Sequence, residues 1–268
     1  WWVDLAWPVG LCFMSAYVFT HFEEGWALRK GVVCSLLFLH GLRMAAGACH
    51  AIISGKWRTD KDLPRYRYQR LRCAKLEGNW QWEMQVEIFV QFLANSAFFI
   101  VPIYCIASNT SHTVSWLEAV ALLLWVCGYV IENVADATKM FHTRTAKNKT
   151  SVCDTGLWLW CRHPNFFGEW LLWIAYTTAA LCNLPRDGGR VLGGSVFVLA
   201  CTPALMYYCL VFYTGAVPAE YFSTRKRPKY KEYCSRTPMF FPRLPVTDMG
   251  TNATTAAEAA AVAEAEAV

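Results

Sequence analysis

The chain has little charge and no closely spaced cysteine pair. Only 17% of its 268 residues are charged, whereas 55% are hydrophobic, and an average soluble domain has about 25% charged residues. This deficit excludes an ordinary soluble domain and a disordered chain. The twelve cysteines include no C-x-x-C pair, and several lie in apolar runs, where cysteine packs as a small hydrophobic residue. We therefore expect free thiols and no metal site.

Apolar runs of about 20 residues, the length of a helix that crosses a bilayer, recur along the chain. They predict an all-α polytopic membrane protein with six transmembrane helices, and a seventh could precede Trp1. The six runs are residues 1–22, 31–53, 84–107, 116–135, 165–184 and 191–214. We expect one membrane-embedded domain over residues 1–245 and a disordered, Ala/Glu-rich tail over residues 246–268.

Basic residues are concentrated in every second connection between these runs. The three long connections, residues 54–83, 136–164 and 215–250, carry 20 Lys and Arg, whereas the short connections carry four. By the positive-inside rule, this asymmetry places the long connections in the cytoplasm. The net charge of +5 then reflects membrane topology. We expect no nucleic-acid partner, because phosphate-binding stripes do not usually lie between membrane spans.

Polar side chains recur at helical spacing in three of the predicted spans. Ionisable groups are costly inside a membrane, so their placement is informative. Each set could simply form hydrogen bonds between neighbouring helices, but three stripes with Arg, His, Glu and Asp favour a shared polar cavity. The stripes consist of His40, Arg43, His50 and Ser54; of Glu83, Glu87, Gln91 and Asn95; and of Tyr129, Glu132, Asp136 and Lys139.

A polar segment leads into the fifth predicted span. Pro164 suits the first turn of a helix, because its missing N–H costs nothing there. Arg162 and His163 would then flank a helix N-terminus, where free backbone N–H groups and a guanidinium favour a phosphate. The segment could also be an interface anchor, but that interpretation leaves Asn165 and the carboxylate of Glu169 unexplained. The pattern therefore predicts a phosphate site at the cytoplasmic surface.

The basic segment after the last predicted span contains a second group of candidate ligands. Tyr230, Tyr233 and Arg236 are spaced for one helical face, and two prolines end the helix beyond them. Aromatic rings and an arginine suit the nucleotide end of a cofactor. The alternative is a juxtamembrane segment that binds anionic lipid.

Five motifs occur together in this chain. They are Glu132-x-x-x-Asp136, Asp154-Thr-Gly-Leu-Trp158, Arg162-His-Pro-Asn-Phe-Phe-Gly-Glu169, Gly215-Ala-Val-Pro-x-Glu220 and Arg227-Pro-x-Tyr230-x-x-Tyr233. Together they resemble the steroid 5-alpha-reductase-like superfamily, and the closest branch is the one catalogued mainly as a domain of unknown function. The resemblance extends from about Asp4 to Pro245.

This resemblance implies NADPH bound at the cytoplasmic ends of the C-terminal spans and a lipid substrate that enters from the bilayer. One position departs from the family pattern, because Phe166 stands where Tyr is usual and a hydroxyl group is lost. The cofactor residues that the resemblance implies are Asp136, Lys139, Asp154, Trp158, Arg162, His163, Asn165, Glu169, Tyr230, Tyr233 and Arg236.

The expected activity is an NADPH-dependent oxidoreductase that reduces an activated C=C bond of a membrane-soluble lipid, such as a steroid or polyprenol. Hydride transfer requires a group that polarises the substrate. The catalytic candidates are Glu87 and Tyr129 for this group, with Arg43 or His40 as supporting donors. We expect the protein in the endoplasmic reticulum or another endomembrane, with its cofactor site facing the cytoplasm.

Two other classes stay open. Isoprenylcysteine methyltransferase-like membrane enzymes share the Arg-His-Pro element and bind S-adenosylmethionine there. Such enzymes usually have paired glutamates near the last helix, whereas Glu220 stands alone in this chain. The third class is a non-catalytic membrane protein, which Phe166 favours.

Overall fold

The computed structural model describes residues 2–57, 63–148, 150–184, 186–187, 190–191 and 193–244. These residues are almost entirely helical. The helices are α1 Trp2–His21, α2 Ala27–Ile53, α3 Pro64–Lys75, α4 Trp80–Ala94, α5 Ile100–Ser108, α6 Trp116–Thr145, α7 Pro164–Cys182, α8 Gly193–Tyr208, α9 Ala216–Lys226 and α10 Tyr230–Arg236. Two π-helical segments, Asn95–Phe99 and Cys209–Tyr213, follow α4 and α8, and a 3₁₀ turn covers Gly156–Leu159. Strands β1 Arg186–Asp187 and β2 Arg190–Val191 form one antiparallel pair.

Four helical stretches in the described chain are long and apolar enough to cross a membrane, and they identify an integral membrane protein. They are Ala27–Ile53, Trp80–Ser108, Trp116–Thr145 and Gly193–Lys226. The remaining two predicted spans coincide with α1 and α7, which are helical but are not among the four. In α7, Asn165, Glu169 and several Trp, Tyr and Thr residues lower the hydropathy. The prediction is thus confirmed for a polytopic helical protein, and the number of six spans stays a prediction.

The described chain forms two compact units. The first consists of Trp1–Leu63, Asn79–Trp125 and Trp173–Leu205. Helices α1 and α2 approach closely in it, because a Cβ atom on Gly41 would lie 2.7 Å from the carbonyl oxygen of Pro8. The rings of Phe99 and Trp173 are both buried, with centroids 4.5 Å apart. Aromatic packing and a close helix contact therefore form the core of this unit.

A polar network in the first unit surrounds the ion pair between Arg29 and Glu118. Arg29 Nε donates to Glu118 Oε1 at 2.7 Å, and Asn183 Nδ2 donates to the same oxygen at 3.2 Å. The guanidinium also donates to the carbonyl oxygens of Ser111 at 2.6 Å and Thr113 at 2.5 Å. The network holds the connection between α5 and α6 against α2, so Arg29 has a structural role.

The second unit consists of Pro64–Gly78, Val126–Leu172 and the residues from Met206 onward. Helices α6 and α7 cross at two glycines. A Cβ atom on Gly168 would lie 2.7 Å from the carbonyl oxygen of Gly128 and 2.8 Å from Cβ of Glu132. In the same unit α3 packs against α9. The chain beyond α10 returns to the unit, where the Arg162 N–H donates to the carbonyl oxygen of Pro238 at 2.8 Å.

The Ala/Glu-rich tail predicted over residues 246–268 lies outside the described residues.

Candidate functional site

A buried ion pair between Arg162 and Glu220 lies at the centre of the second unit's polar groups. Both side chains are 2% exposed. Arg162 Nε donates to Glu220 Oε1 at 2.8 Å and Nη2 donates to Oε2 at 3.1 Å, so the contact is bidentate. Nη1 donates to the carbonyl oxygens of Cys234 at 3.0 Å and Thr237 at 2.5 Å. Burial alone would lower the pKa of Arg162, but the carboxylate of Glu220 raises the pKa above its ordinary value.

This pairing differs from the phosphate contact predicted for Arg162 and His163. Arg162 is already bound to protein oxygens, and His163 Nε2 lies 2.9 Å from Glu220 Oε1. A buried guanidinium requires a counter-ion, and Glu220, from α9, supplies it. The two residues therefore connect the N-terminus of α7 to α9 and α10, and their contact with an anion stays a prediction. Pro164 does begin α7, as its sequence position predicts.

The predicted aromatic ligands are buried as well. Tyr233 OH donates to the carbonyl oxygen of Trp158 at 2.5 Å, and Trp158 Nε1 donates to the carbonyl oxygen of Ala135 at 3.0 Å. Tyr230 and Tyr233 lie on one face of α10, as predicted, with ring centroids 5.7 Å apart. Burial raises the pKa of both tyrosines. These rings fasten the segment after Asp154 to α6 and α10, and they offer little surface to a ligand.

Other predicted cofactor residues are accessible. Asp154 accepts an ion-pair contact from Arg236 at 2.5 Å, and the two side chains are 36% and 52% exposed. The ammonium group of Lys139 lies 4.1 Å from the ring centroid of Trp158. This cation–π contact holds the half-buried Lys139 against a buried ring. An arginine and a lysine are thus available to an anionic ligand.

Asn165 and Asp136 form the most informative contact among the accessible groups. Asn165 Nδ2 donates to Asp136 Oδ1 at 3.1 Å. Asn165 Oδ1 is enclosed by protein, yet it has no hydrogen-bond partner among the described residues. Buried polar atoms are normally paired, so the unpaired oxygen marks this contact as a candidate for ligand binding.

Two buried carboxylates lie beside the crossing of α6 and α7. Glu132 and Glu169 are 5% and 4% exposed, and they have carboxylate oxygens within 4.8 Å of each other. Neither reaches the surface, so Glu169 is not placed to contact a ligand in solvent. The pair was not expected from the sequence, because the two residues lie in different predicted spans.

The three predicted catalytic candidates belong to different units. Glu87 and Arg43 lie in the first unit and Tyr129 lies in the second. Glu87 is 4% exposed and accepts a hydrogen bond from Gln91 Nε2 at 3.2 Å, so two members of the predicted α4 stripe do meet. The convergence of all three polar stripes stays a prediction.

Sequence reasoning missed the role of Glu220. It appears in a recognised motif, but an isolated glutamate next to a membrane span does not show which cation it pairs with. The available signal was the need of the buried Arg162 for a carboxylate.

The chain is similar to three curated proteins. One is an uncharacterized protein of Schizosaccharomyces pombe, 23% identical over 90% of this chain and 72% of that protein. The nickel-cobalt-cadmium resistance protein NccN of Alcaligenes xylosoxydans xylosoxydans is 25% identical over 54% of this chain and 62% of its own length. The cobalt-zinc-cadmium resistance protein CzcN of Cupriavidus metallidurans is 29% identical over 48% of this chain and 53% of its own length.

This chain therefore matches less than two thirds of either metal-resistance protein. No solved structure matches the chain significantly. The model of the family described as "Protein of unknown function (DUF1295)" matches residues 1–237, and the chain belongs to this family.

Proposed function

We propose that the protein is an NADPH-dependent oxidoreductase that reduces an activated C=C bond of a membrane-soluble lipid. The enclosed oxygen of Asn165 carries the proposal, because it accepts no hydrogen bond within the described chain. A carboxamide N–H, such as that of nicotinamide, is a suitable donor for this oxygen. The adjacent carboxylate of Asp136 fixes the orientation of the Asn165 amide. The resemblance to the steroid 5-alpha-reductase-like superfamily supports the same cofactor.

The positive charge of the second unit favours NADPH over S-adenosylmethionine as the ligand. The second unit contains 17 Lys and Arg but seven Asp and Glu up to residue 244. NADPH carries several negative charges on its phosphates, whereas S-adenosylmethionine carries a sulfonium cation and no phosphate. A strongly positive surface attracts the polyanion and raises its local concentration. In the predicted set, the exposed Arg236 and the half-buried Lys139 are the cations proposed to contact those phosphates.

The buried residues of the predicted set have a supporting role in this proposal. When bound, NADPH would supply the hydride. The start of α7 is held in place by Arg162, His163 and Glu220. Asn165 lies two residues after His163. The same ion pair anchors α10, which carries Arg236. The ion pair thereby positions two proposed cofactor contacts without touching the cofactor.

The first unit contains an apolar cavity. Its volume is about 280 Å³, near the lower end of the range for small-molecule sites. Its lining is mainly aliphatic and includes Val33, Leu36, Ile106 and Leu122. This lining suits an apolar molecule, but Leu122 lies 14 residues, about 21 Å, from the proposed cofactor contact Asp136 along α6, so the cavity does not place a substrate beside NADPH. Glu87 and Tyr129 stay the candidates for the group that polarises the substrate, with Arg43 as a supporting donor.

The proposal places the protein in the endoplasmic reticulum or another endomembrane, with its basic connections and the cofactor residues on the cytoplasmic side.

The test is a comparison of ligands on the purified full chain. The melting temperature should rise with NADPH and should stay unchanged with S-adenosylmethionine, because only a ligand of the folded state stabilises it. A rise with S-adenosylmethionine alone would support the methyltransferase alternative. A rise with neither would support a non-catalytic membrane protein.

A further inference from the structure

Three arginines on α3 and α9 gather around one aromatic cluster in the second unit. The cluster consists of Tyr68 on α3 and of Tyr221 and Phe222 on α9. The rings of Tyr68 and Tyr221 meet edge to face with centroids 5.0 Å apart. Arg67 Cζ lies 5.1 Å from the centroid of Phe222, and Arg225 Cζ lies 3.5 Å from that of Tyr221. The rings hold two guanidinium groups in place.

The third arginine, Arg72, lies near the same cluster. Burial raises the pKa of Tyr68, although the positive charges of Arg72 and Arg225 oppose that shift. Both cations are therefore close enough to Tyr68 to affect its ionisation. The side chains of Arg67, Arg72 and Arg225 are all exposed.

These arginines lack acidic partners among the described residues. In the part of the chain that the structure describes, no carboxylate forms an ion pair with Arg67, Arg72 or Arg225. Helix α3 has five basic residues and no acidic one. Guanidinium groups bind phosphate oxygens well, because their N–H groups form a planar fork. The arrangement is therefore suited to a phosphate group.

The surroundings of the arginines favour a lipid as the source of that phosphate. α9 lies at the end of the candidate membrane span Gly193–Lys226. α3 also carries exposed apolar side chains, since Leu71 is 51% exposed and lies four residues after Arg67 and four before Lys75. Exposed leucine between two cations is typical of a helix at a membrane interface. A site for free inorganic phosphate would not require the exposed Leu71.

We propose that Arg67, Arg72 and Arg225 form a binding site for the anionic headgroup of a phospholipid in the leaflet on the basic side of the membrane. Leu71 contacts the acyl region of the same leaflet, and the aromatic cluster holds the guanidinium groups in position for the headgroup. The site is independent of the proposed reductase activity.

The experiment titrates the detergent-purified full chain with a fluorescent short-chain phosphatidylserine and, separately, with phosphatidylcholine. Phosphatidylserine should bind more tightly, and the double variant Arg67→Gln/Arg72→Gln should weaken its binding about tenfold or more, since each surface cation contributes to anionic-lipid affinity. The matched variant Lys147→Gln/Arg243→Gln also removes two exposed cations from the second unit. It should change the affinity by less than about twofold.

Competition identifies the source of the anion. Inorganic phosphate and NADPH at concentrations matched to the lipid should not displace the labelled phosphatidylserine. Displacement by inorganic phosphate would indicate a site for free anions, and displacement by NADPH would assign the arginines to cofactor binding; either result overturns the proposal. Equal losses in the two double variants would also overturn it, because they would indicate diffuse attraction without a discrete site. The melting temperature of each variant confirms that it is folded.

Discussion

Arg162 and Glu220 are 58 residues apart in sequence, yet each guanidinium-to-carboxylate contact is within 3.1 Å and neither side chain is more than 2% exposed. Removing one partner from such a pair leaves an uncompensated buried charge. The pair therefore connects the start of α7 to α9 and α10. In the proposed function, the pair affects NADPH binding through the positions of Asn165 and Arg236.

Glu220→Gln should lower the free energy of unfolding of the full chain by about 3–5 kcal/mol, because it leaves the Arg162 guanidinium without its counter-ion. Arg162→Ala should destabilise similarly. The measurement is thermal or denaturant unfolding in detergent. Asp154→Asn is the control, since it breaks an exposed pair with Arg236 and should cost about 0–1 kcal/mol. Equal effects of Glu220→Gln and Asp154→Asn would contradict the structural role.

Asn165→Ala should weaken NADPH binding by about 1–3 kcal/mol, the cost of losing a hydrogen bond in a protected site. The dissociation constant for NADPH is the measurement, and the melting temperature without ligand should change little. Asn133→Ala is the matched control, because Asn133 donates to the Tyr129 carbonyl of its own helix. An NADPH dissociation constant that is unchanged in folded Asn165→Ala would remove the main support for this cofactor.

Gly168→Ala should destabilise the chain by about 1–3 kcal/mol, because the added methyl group meets the backbone of α6. Gly31→Ala tests the same change in α2, where nothing lies within 4 Å of the added atom. That variant should be neutral or stabilising by up to about 1 kcal/mol, since alanine favours helix more than glycine does. The comparison of melting temperatures separates the close helix crossing from a general effect of glycine replacement.

Glu87→Gln should lower the turnover number more than it lowers NADPH affinity, if Glu87 polarises the substrate. Glu83→Gln is the control, because Glu83 lies one turn earlier in α4 and is exposed. It should leave turnover near that of the unchanged protein. A carboxyl group that only connects helices would give another pattern: Glu87→Gln would then reduce the melting temperature while turnover per folded molecule stayed the same.

Much of the helical framework could be predicted from the sequence. Apolar runs marked the long helices because burial in a membrane requires about 20 apolar residues. Pro164 marked the start of α7 because only the first turn tolerates its missing N–H. The count of six spans stays a prediction, because Asn165 and Glu169 lower the hydropathy of α7 below that of the four candidate membrane helices.

The roles of individual side chains were less predictable. Arg162 beside a helix N-terminus has the sequence features of a phosphate ligand, and only the fold shows that Glu220 occupies its guanidinium. Tyr230 and Tyr233 do share a helical face, but periodicity does not show whether that face meets solvent or protein. Helix α3 was also missed, because its five cations resemble a solvated connection. In all three cases, contacts between residues far apart in the sequence determine the structure.

Hydride transfer is the central claim, and deuterium-labelled NADPH tests it most directly. The full chain is incubated with labelled NADPH and a membrane lipid extract, and the products are analysed by mass spectrometry. The proposed activity predicts a lipid that gains one deuterium and one proton across a former C=C bond, with an equal amount of oxidised cofactor. The absence of any labelled lipid, together with methyl transfer from S-adenosylmethionine in a parallel incubation, would contradict the proposed reductase.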